Sequence, residues 1–563
     1  MTGNIRATLR AALIGLCLGG ATGALAQEGL QIHGNFSTDG YLYQEDSAIG
    51  AVPPPEEFGL NAWSNIIATY GSFEAGIRIE NYTPALLGYP AGAAYNGTGI
   101  GYRYVKYGQD DLEVTAGSFF EQFGSGLVLR SYEERYLGVD NALDGVRLKY
   151  KPCTGVYLKA FAGEQRLAFD NGFTKGSGLV RGIDAEVQLN ELCDSMASRG
   201  HNLVLGGSFV SKFQEDKDPL YEFPENVGAA AARINYITPR WNLYAEYARK
   251  INDPNISNSF TQDSTLFYNY KDGQALMINA TYSVKGFGAS AGWHTYDNMV
   301  YRSDRSAGPF DLNINYLPTL AKQHTYNLAA TLYPYATQPN GEVAYQGEIF
   351  HKWKKGTTLG GKYGTKLAVN GSVAYSLDST AQPTDTIHFI GYTADPFAPG
   401  EELYFRDVNV EVRKKLSERW EMALTYIDLA YNIDVVQGKP GQPVIYAGIV
   451  VLEGLFQYTD ENSLRFELQH LNTRQDHGNW ATALAEFTFS PHWSLTAMDQ
   501  YNYGGSVDVE EIHYPLGSAV YTRGANRFQV SYGRQRAGIF CVGGVCRQVP
   551  AASGLSLSIT STF

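Results

Sequence analysis

The residue types that carry most enzymatic chemistry are present in this chain but not gathered. Ten histidines, at 33, 201, 294, 324, 351, 388, 470, 477, 492 and 513, are spread along it. None belongs to an H-E-x-x-H, and no two stand at ligand spacing on one strand, so neither a metal site nor a cofactor is expected. His470 and His477 flank a loop and read as solvated polar residues. No G-x-S-x-G elbow occurs. Gly99-Ile100-Gly101 enters a strand rather than a helix, which removes it as a phosphate cradle. The expectation is a protein that is not an enzyme.

Cysteine chemistry is more suggestive. Cys541 and Cys546 flank Val542-Gly543-Gly544-Val545, a tight turn whose paired strands bring such positions into disulfide range. Cys153 and Cys193 fall in two successive turns on the same side. An even cysteine count in an oxidising compartment predicts that these are oxidised as well, with their connectivity open. The C-x4-C spacing with no histidine nearby does not suit zinc.

Charged residues supply two further candidate surfaces. The stretch 117–147 joins two strands and carries Glu121, Arg130, Glu133, Glu134, Arg135 and Asp140 among Phe119, Phe120, Phe123 and Tyr132. A connection this long, charged and aromatic suits a loop that folds inward and constricts a lumen; a self-neutralised surface loop is the alternative. The second surface comes from alternation. If Phe73, Ile77 and Ile79 face outward, Glu74, Arg78 and Glu80 face inward; Asp407, Glu411, Arg413, Arg465 and Glu467 follow by the same rule. Arg or Lys on a lipid face costs roughly 2–4 kcal/mol at mid-membrane, so the inward orientation is the cheaper one.

These residues need a large sheet to position them, and the sequence supplies one. With 44% apolar, 13% aromatic and 18% charged residues, 61 Gly and 40 Tyr, the chain suits short strands and turns and excludes disorder, collagen and coiled coil. After residue 26 no apolar run reaches the ~18 residues of a membrane helix. Period-two alternation dominates, as in 73–80, 407–413 and 464–469. Tight connections (71–72, 285–286, 417–419, 460–463, 491–492) alternate with long ones (44–59, 251–273, 298–322, 379–401), the pattern of an outer-membrane barrel with short periplasmic turns and long extracellular loops. The expected fold is all-β, a large antiparallel transmembrane β-barrel of 24–26 strands. With 323–334 counted as a strand, twenty-six is preferred if Asn370-Gly371 makes a hairpin turn, and treating 342–378 differently gives 24. Trp241, Trp420 and Trp493 each follow a tight turn and are expected in an interface girdle. The alternating 555–563 ends on Phe563, which resembles the terminal-strand signal read by barrel-assembly machinery.

Arg6 and Arg10, the apolar run 11–18 and Ala24-Leu25-Ala26 read as a secretory signal peptide over 1–26, leaving 27–563 as one barrel domain. Its removal takes the net charge from −13 to −15, which argues against nucleic acid as a partner. Expected partners are outer-membrane lipid, the assembly machinery and, on a scaffold reading, exported proteins or lipoproteins.

The segments 112–134, 137–142, 33–37, 354–357 and 541–547 together resemble a family of uncharacterised outer-membrane barrel proteins common in Bacteroidota. The resemblance spans nearly the whole mature chain. It implies a single-chain outer-membrane barrel and carries no activity or catalytic residue. The leading expectation is a porin-like channel or transport barrel with a lumen constricted by loops or side chains. The rivals are a surface scaffold that docks exported proteins or lipoproteins, and a soluble secreted all-β protein.

Overall fold

In the computed structural model, residues 29–563 are described apart from 91–93, 220–221, 257–267, 309–310, 383–390, 506–508 and 543–544. The signal peptide expected over 1–26 lies outside them. Twenty-four strands form one antiparallel sheet in which each pairs with its neighbours in the chain. The first, Leu30–Gln44, pairs with the last, Ala552–Thr562, and closes the ring. Gly34 and Phe563 exchange both backbone hydrogen bonds at this seam, at 2.9 and 3.0 Å. A side chain on Gly34 would collide with the Phe563 ring.

Alternation decides which way each strand faces. Asp407 and Asn409 are fully buried while Val408, Val410 and Val412 are exposed. Likewise Arg78 and Glu80 are buried and Phe73 and Ile79 exposed. In a closed sheet the covered side is the interior, so the polar residues point into the barrel and the aliphatic ones away from it.

The preferred count of 26 is corrected to 24. Asn370-Gly371 is not a hairpin turn: Asn370 pairs with Glu348 and Asn409 in mid-strand, within Thr365–Ala381. An Asn-Gly turn requires both residues at positive φ, and neither adopts it here. The stretch 323–334 is not a strand either, and carries the short helix Asn327–Leu332. Nor is 298–322 an outward-facing loop: Met299, Tyr301, Leu312, Ile314 and Leu320 are buried. The reason is geometric. A ring of 24 strands is too wide for wall side chains to meet across it, and the longest connections supply the missing core.

Two segments do so. Phe123, Leu127, Val128 and Leu129, from the connection 120–142, share an apolar cluster with Val210, Val227, Ala248 and Ala275 of the wall and with Met299, Tyr301 and Ile314 of the connection 298–340. Farther along, Leu320, Tyr326, Leu328, Leu332, Tyr333 and Tyr335 pack on Phe405, Ile427, Ile449, Leu471 and Trp480. Burial on the inner face follows this filling. In Trp241–Ile251 the inward residues run from exposed Asn242 through half-buried Tyr244 to buried Glu246, Ala248 and Lys250. Ser463–Thr473 repeats the gradient from Arg465 to Thr473. The interior is packed in the half near the long connections and open in the half near the short turns.

Candidate functional site

The site of interest is the seam between the two inner segments and the wall, with the space beneath it. The inner segments grip each other first. The Arg130 N–H donates to the Ile314 carbonyl (2.8 Å), and the Tyr316 N–H to that of Gly126 (3.0 Å). Asn141 Nδ2 donates to the Asn313 carbonyl at 2.9 Å. The Arg130 guanidinium lies between the rings of Tyr132 and Tyr316, 4.5 and 4.0 Å from their centroids.

Segment 120–142 is held to the wall by charge. The strand Phe73–Tyr82 presents Arg78 and Glu80, two residues apart and therefore on one face. Arg78 Nε donates to Glu80 Oε1 (2.6 Å), and its other nitrogens reach Glu133 (3.0 Å) and Asp140. From Val156–Asp170, Arg166 binds both oxygens of Glu80 (2.8 and 2.7 Å) and Asp140 Oδ2 (2.9 Å). Tyr82 donates to Glu80 at 2.8 Å and Trp63 Nε1 to Tyr82 at 3.0 Å. Arg78 and Arg166 thus balance Glu80 and Asp140, all nearly dry, across the seam, and the less buried Glu133 is offset by Arg135. Elsewhere on the segment, Glu121 pairs with Lys159 (3.1 Å) and faces Arg147 (3.6 Å). At its tip the Ser125 N–H and Oγ donate to Glu246 Oε2 at 2.8 and 2.5 Å. Gly124 permits that approach: at φ 52°, a Cβ there would stand 2.4 Å from Glu246 Oε1.

Segment 298–340 has its own anchors. Lys212 and Lys250 share Asp253 (2.8 and 2.9 Å) and donate onward to the carbonyls of Arg302 (2.7 Å) and Val300 (2.5 Å). His324 Nε2 meets Asp407 Oδ2 at 2.6 Å, and Lys322 donates to Asn409 at 3.0 Å. Glu342 accepts from Tyr335 Oη and the Gln338 N–H, both at 2.7 Å, while touching His294 at 2.7 Å. Both histidines meet a carboxylate through Nε2; among the described residues no group of three or more ligating side chains occurs.

Between segment 120–142 and the wall lies a cavity of about 400 Å³, lined by Glu74, Arg78, Lys106, Glu133, Arg135 and Arg147 with Tyr102, Tyr104 and Phe120. A second, of about 270 Å³, lies under the tip against Glu186, Arg233 and Tyr244. Polar lining of both signs suits hydrated solutes better than lipophilic ones.

The expected site residues distribute as follows. Glu121, Arg130, Glu133, Arg135 and Asp140 belong to the seam; Glu134 stays at its own turn, where it accepts from the Tyr136 N–H. Arg135 pairs with Glu133 (2.6 Å) and lies over Trp63. Glu74 pairs with Lys106 (3.0 Å) in the cavity. Glu411, Arg413, Arg465 and Glu467 join Glu453 in a separate inner-wall network. Trp241, Trp420 and Trp493 stand exposed beside short turns, against Tyr282, Phe456 and Tyr521 at 4.7, 4.5 and 4.8 Å.

The cysteine expectation is corrected in part. Cys153 and Cys193 are free, exposed thiols. Glu191 takes the space between their turns, bonded to the Gly155 N–H (3.0 Å) and Tyr157 (2.6 Å), and Cys193 Sγ turns to Ser195 Oγ at 3.2 Å. Cys541 and Cys546 are register partners in the hairpin Gly538–Val542/Val545–Val549; their side chains lie outside the described residues.

Sequence reasoning missed Arg166, Lys212, Lys250, Asp253, His294 and Glu342. Lys250 and Asp253 stand three residues apart, but Arg166, Lys212, His294 and Glu342 have their ionic partners far away in the chain, so spacing carries no trace of those contacts. One signal was available: 298–340 is poor in charge and rich in Tyr and Leu for a solvated loop.

Closed sheet, outward aliphatics and inward charges define a large transmembrane β-barrel. Over residues 6–563 the chain matches the family of unknown function DUF6029, and it belongs to that family. No curated protein matches it in sequence. Among solved structures it is similar to the P pilus usher (PapC) translocation pore, at 9% identity and TM-score 0.41, over 95% of this chain and 99% of that one. It is also similar to the siderophore receptor PirA from Pseudomonas aeruginosa, at 11% identity and TM-score 0.38, over 95% and 80%. The copper transporter OprC aligns at 8% identity and TM-score 0.38, over 96% and 82%.

Proposed function

We propose that this chain is an outer-membrane transport barrel, exported by its signal peptide, whose bore is closed by its own connections 120–142 and 298–340. The observation that carries this reading is the gradient of inner-face burial. Inward residues are dry near the long connections and wet near the short turns, which makes one half a stopper and the other a vestibule. On this reading the short turns face the periplasm, hydrated solute enters the polar cavities from there, and passage requires the stopper to shift. Charge-balanced seams suit such a device, because water replaces their partners once they open.

Planar-bilayer recording tests it. The native barrel should conduct in rare, brief openings, and a variant with 122–140 replaced by a short Gly-Ser linker should conduct steadily. Absence of conductance from both, in protein that still migrates as a heat-modifiable barrel, would refute the transport reading. Stoichiometric recovery of an exported protein or lipoprotein would then favour the scaffold.

A further inference from the structure

Across most of the chain lysines are paired: Lys106, Lys149, Lys151, Lys159, Lys175, Lys212, Lys250 and Lys271 each meet a carboxylate. One short-turn sector behaves differently. Lys352, Lys354, Lys355 and Lys362 on or beside the turn 354–364, and Lys414 and Lys415 beside the turn 416–419, make no ion pair with any described residue. Lys285, on the preceding turn 285–286, is exposed as well. The acids nearby are Glu418 and Glu421, and the second already faces Arg413 at 3.7 Å. A run of uncompensated cations in a chain of net charge −13 is a strong local field.

A second observation says what it meets. The same turns hold two exposed leucines, Leu359 at 60% and Leu416 at 58%. Aromatic rings stand directly beside them: His351 lies 6.2 Å from Phe287 and 5.0 Å from Trp353, and Trp420 stacks on Phe456. Aromatics mark the level of the membrane interface. Lysines just beyond it, with leucines among them, have the composition of a surface that sits in headgroups and buries its apolar tips at the acyl boundary. A soluble acidic partner would explain the lysines but leave the leucines wet.

We infer that this sector is a binding surface for anionic phospholipid headgroups in the leaflet that meets the short turns. The inference rests on the membrane reading above. Its test is retention of phosphatidylglycerol against phosphatidylethanolamine by the detergent-solubilised full chain in native mass spectrometry, with heat-modifiable migration recorded on the same sample. A lysine near an anionic surface contributes about five-fold, so native protein should favour phosphatidylglycerol by ten-fold or more. K354Q/K355Q/K362Q should lose most of that preference, and Leu359→Ser should weaken retention without changing selectivity. Equal retention of both lipids, or an unchanged preference in the triple variant, in a barrel that still shifts on heating, overturns the lipid assignment and leaves the barrel standing. So does a protein that co-purifies with native chain but not with the triple variant while lipid is ignored. A preparation with no heat shift would instead count against the membrane reading itself.

Discussion

Arg166→Met isolates the charge balance at the seam. Arg166 is buried and donates to Glu80 twice, to Asp140 and to the Gly101 carbonyl. Without it, Glu80 and Asp140 face Arg78 alone. Removing one member of a buried ion network typically costs about 3–5 kcal/mol. Glu80 belongs to the wall and Asp140 to the inner segment, so about half of that, ~2 kcal/mol, falls on docking; at 1.4 kcal/mol per decade this is a shift of roughly 30-fold toward the undocked segment. Planar-bilayer open probability should rise by about that factor, and cleavage within 120–142 by added protease should accelerate in parallel. R166M/E80Q removes one cation and one anion together, leaving Arg78 with Asp140 while Glu133 keeps Arg135 as well, and should recover most of the closure. An R166M barrel that keeps its heat shift yet shows neither leak nor faster cleavage would refute the role given to the seam. So would a double variant that leaks as much as the single one, because imbalance of charge would then not be the cause.

Other outcomes follow from the same structure. Gly124→Ala puts a methyl 2.4 Å from Glu246 Oε1 at positive φ, so the tip should undock by about 1–3 kcal/mol, read as faster hydrogen exchange at 123–126 with the barrel strands unchanged. Val450→Arg places a charge on the outward face in mid-strand and should cost roughly 2–4 kcal/mol in refolding into vesicles, whereas Arg465→Gln on the inner wall should cost far less. Maleimide should label both Cys153 and Cys193 in non-reduced protein, since each is a free exposed thiol; blocked labelling of the pair would restore the disulfide expected from sequence. Asp304, in segment 298–340, is partly desolvated, yet hydrogen bonds from Ser306, Ser177 and Gln214 outweigh burial and hold its carboxyl below the ordinary value. A depressed folded value contributes stability that is fully present above the unfolded pKa of about 3.9 and is lost as pH falls from there through the lower folded value. Protection from exchange around 302–308, relative to the intrinsic rate at each pH, should therefore hold from pH 7 to pH 5 and drop below pH 4, and Asp304→Asn should remove that acid step.

The wall of the barrel was legible in the sequence because its signal is local. Successive strand residues point to opposite sides, so Asp407-Val408-Asn409-Val410 announces its two faces whatever the rest of the chain does. Tight turns, the tryptophans beside them and the terminal Phe563 are equally local, and the turns with the lengths between them bounded the strand number. The charges at 121–140 could be recognised as a candidate inner loop, since a solvated loop has no use for so many aromatics.

Whatever depends on curvature could not be read that way. Asn370-Gly371 has the composition of a turn, but cross-strand partners on both sides hold it extended. Residues 323–334 have enough apolar character for a strand, but the width of the closed ring makes them worth more as filling. Arg166 meets Glu80 and Asp140, and Lys212 meets Asp253, only because closure carries distant strands and connections into one interior. Alternation is a property of neighbouring residues and survives in one dimension; the contents of a barrel are set by its diameter, which exists only once the last strand has found the first.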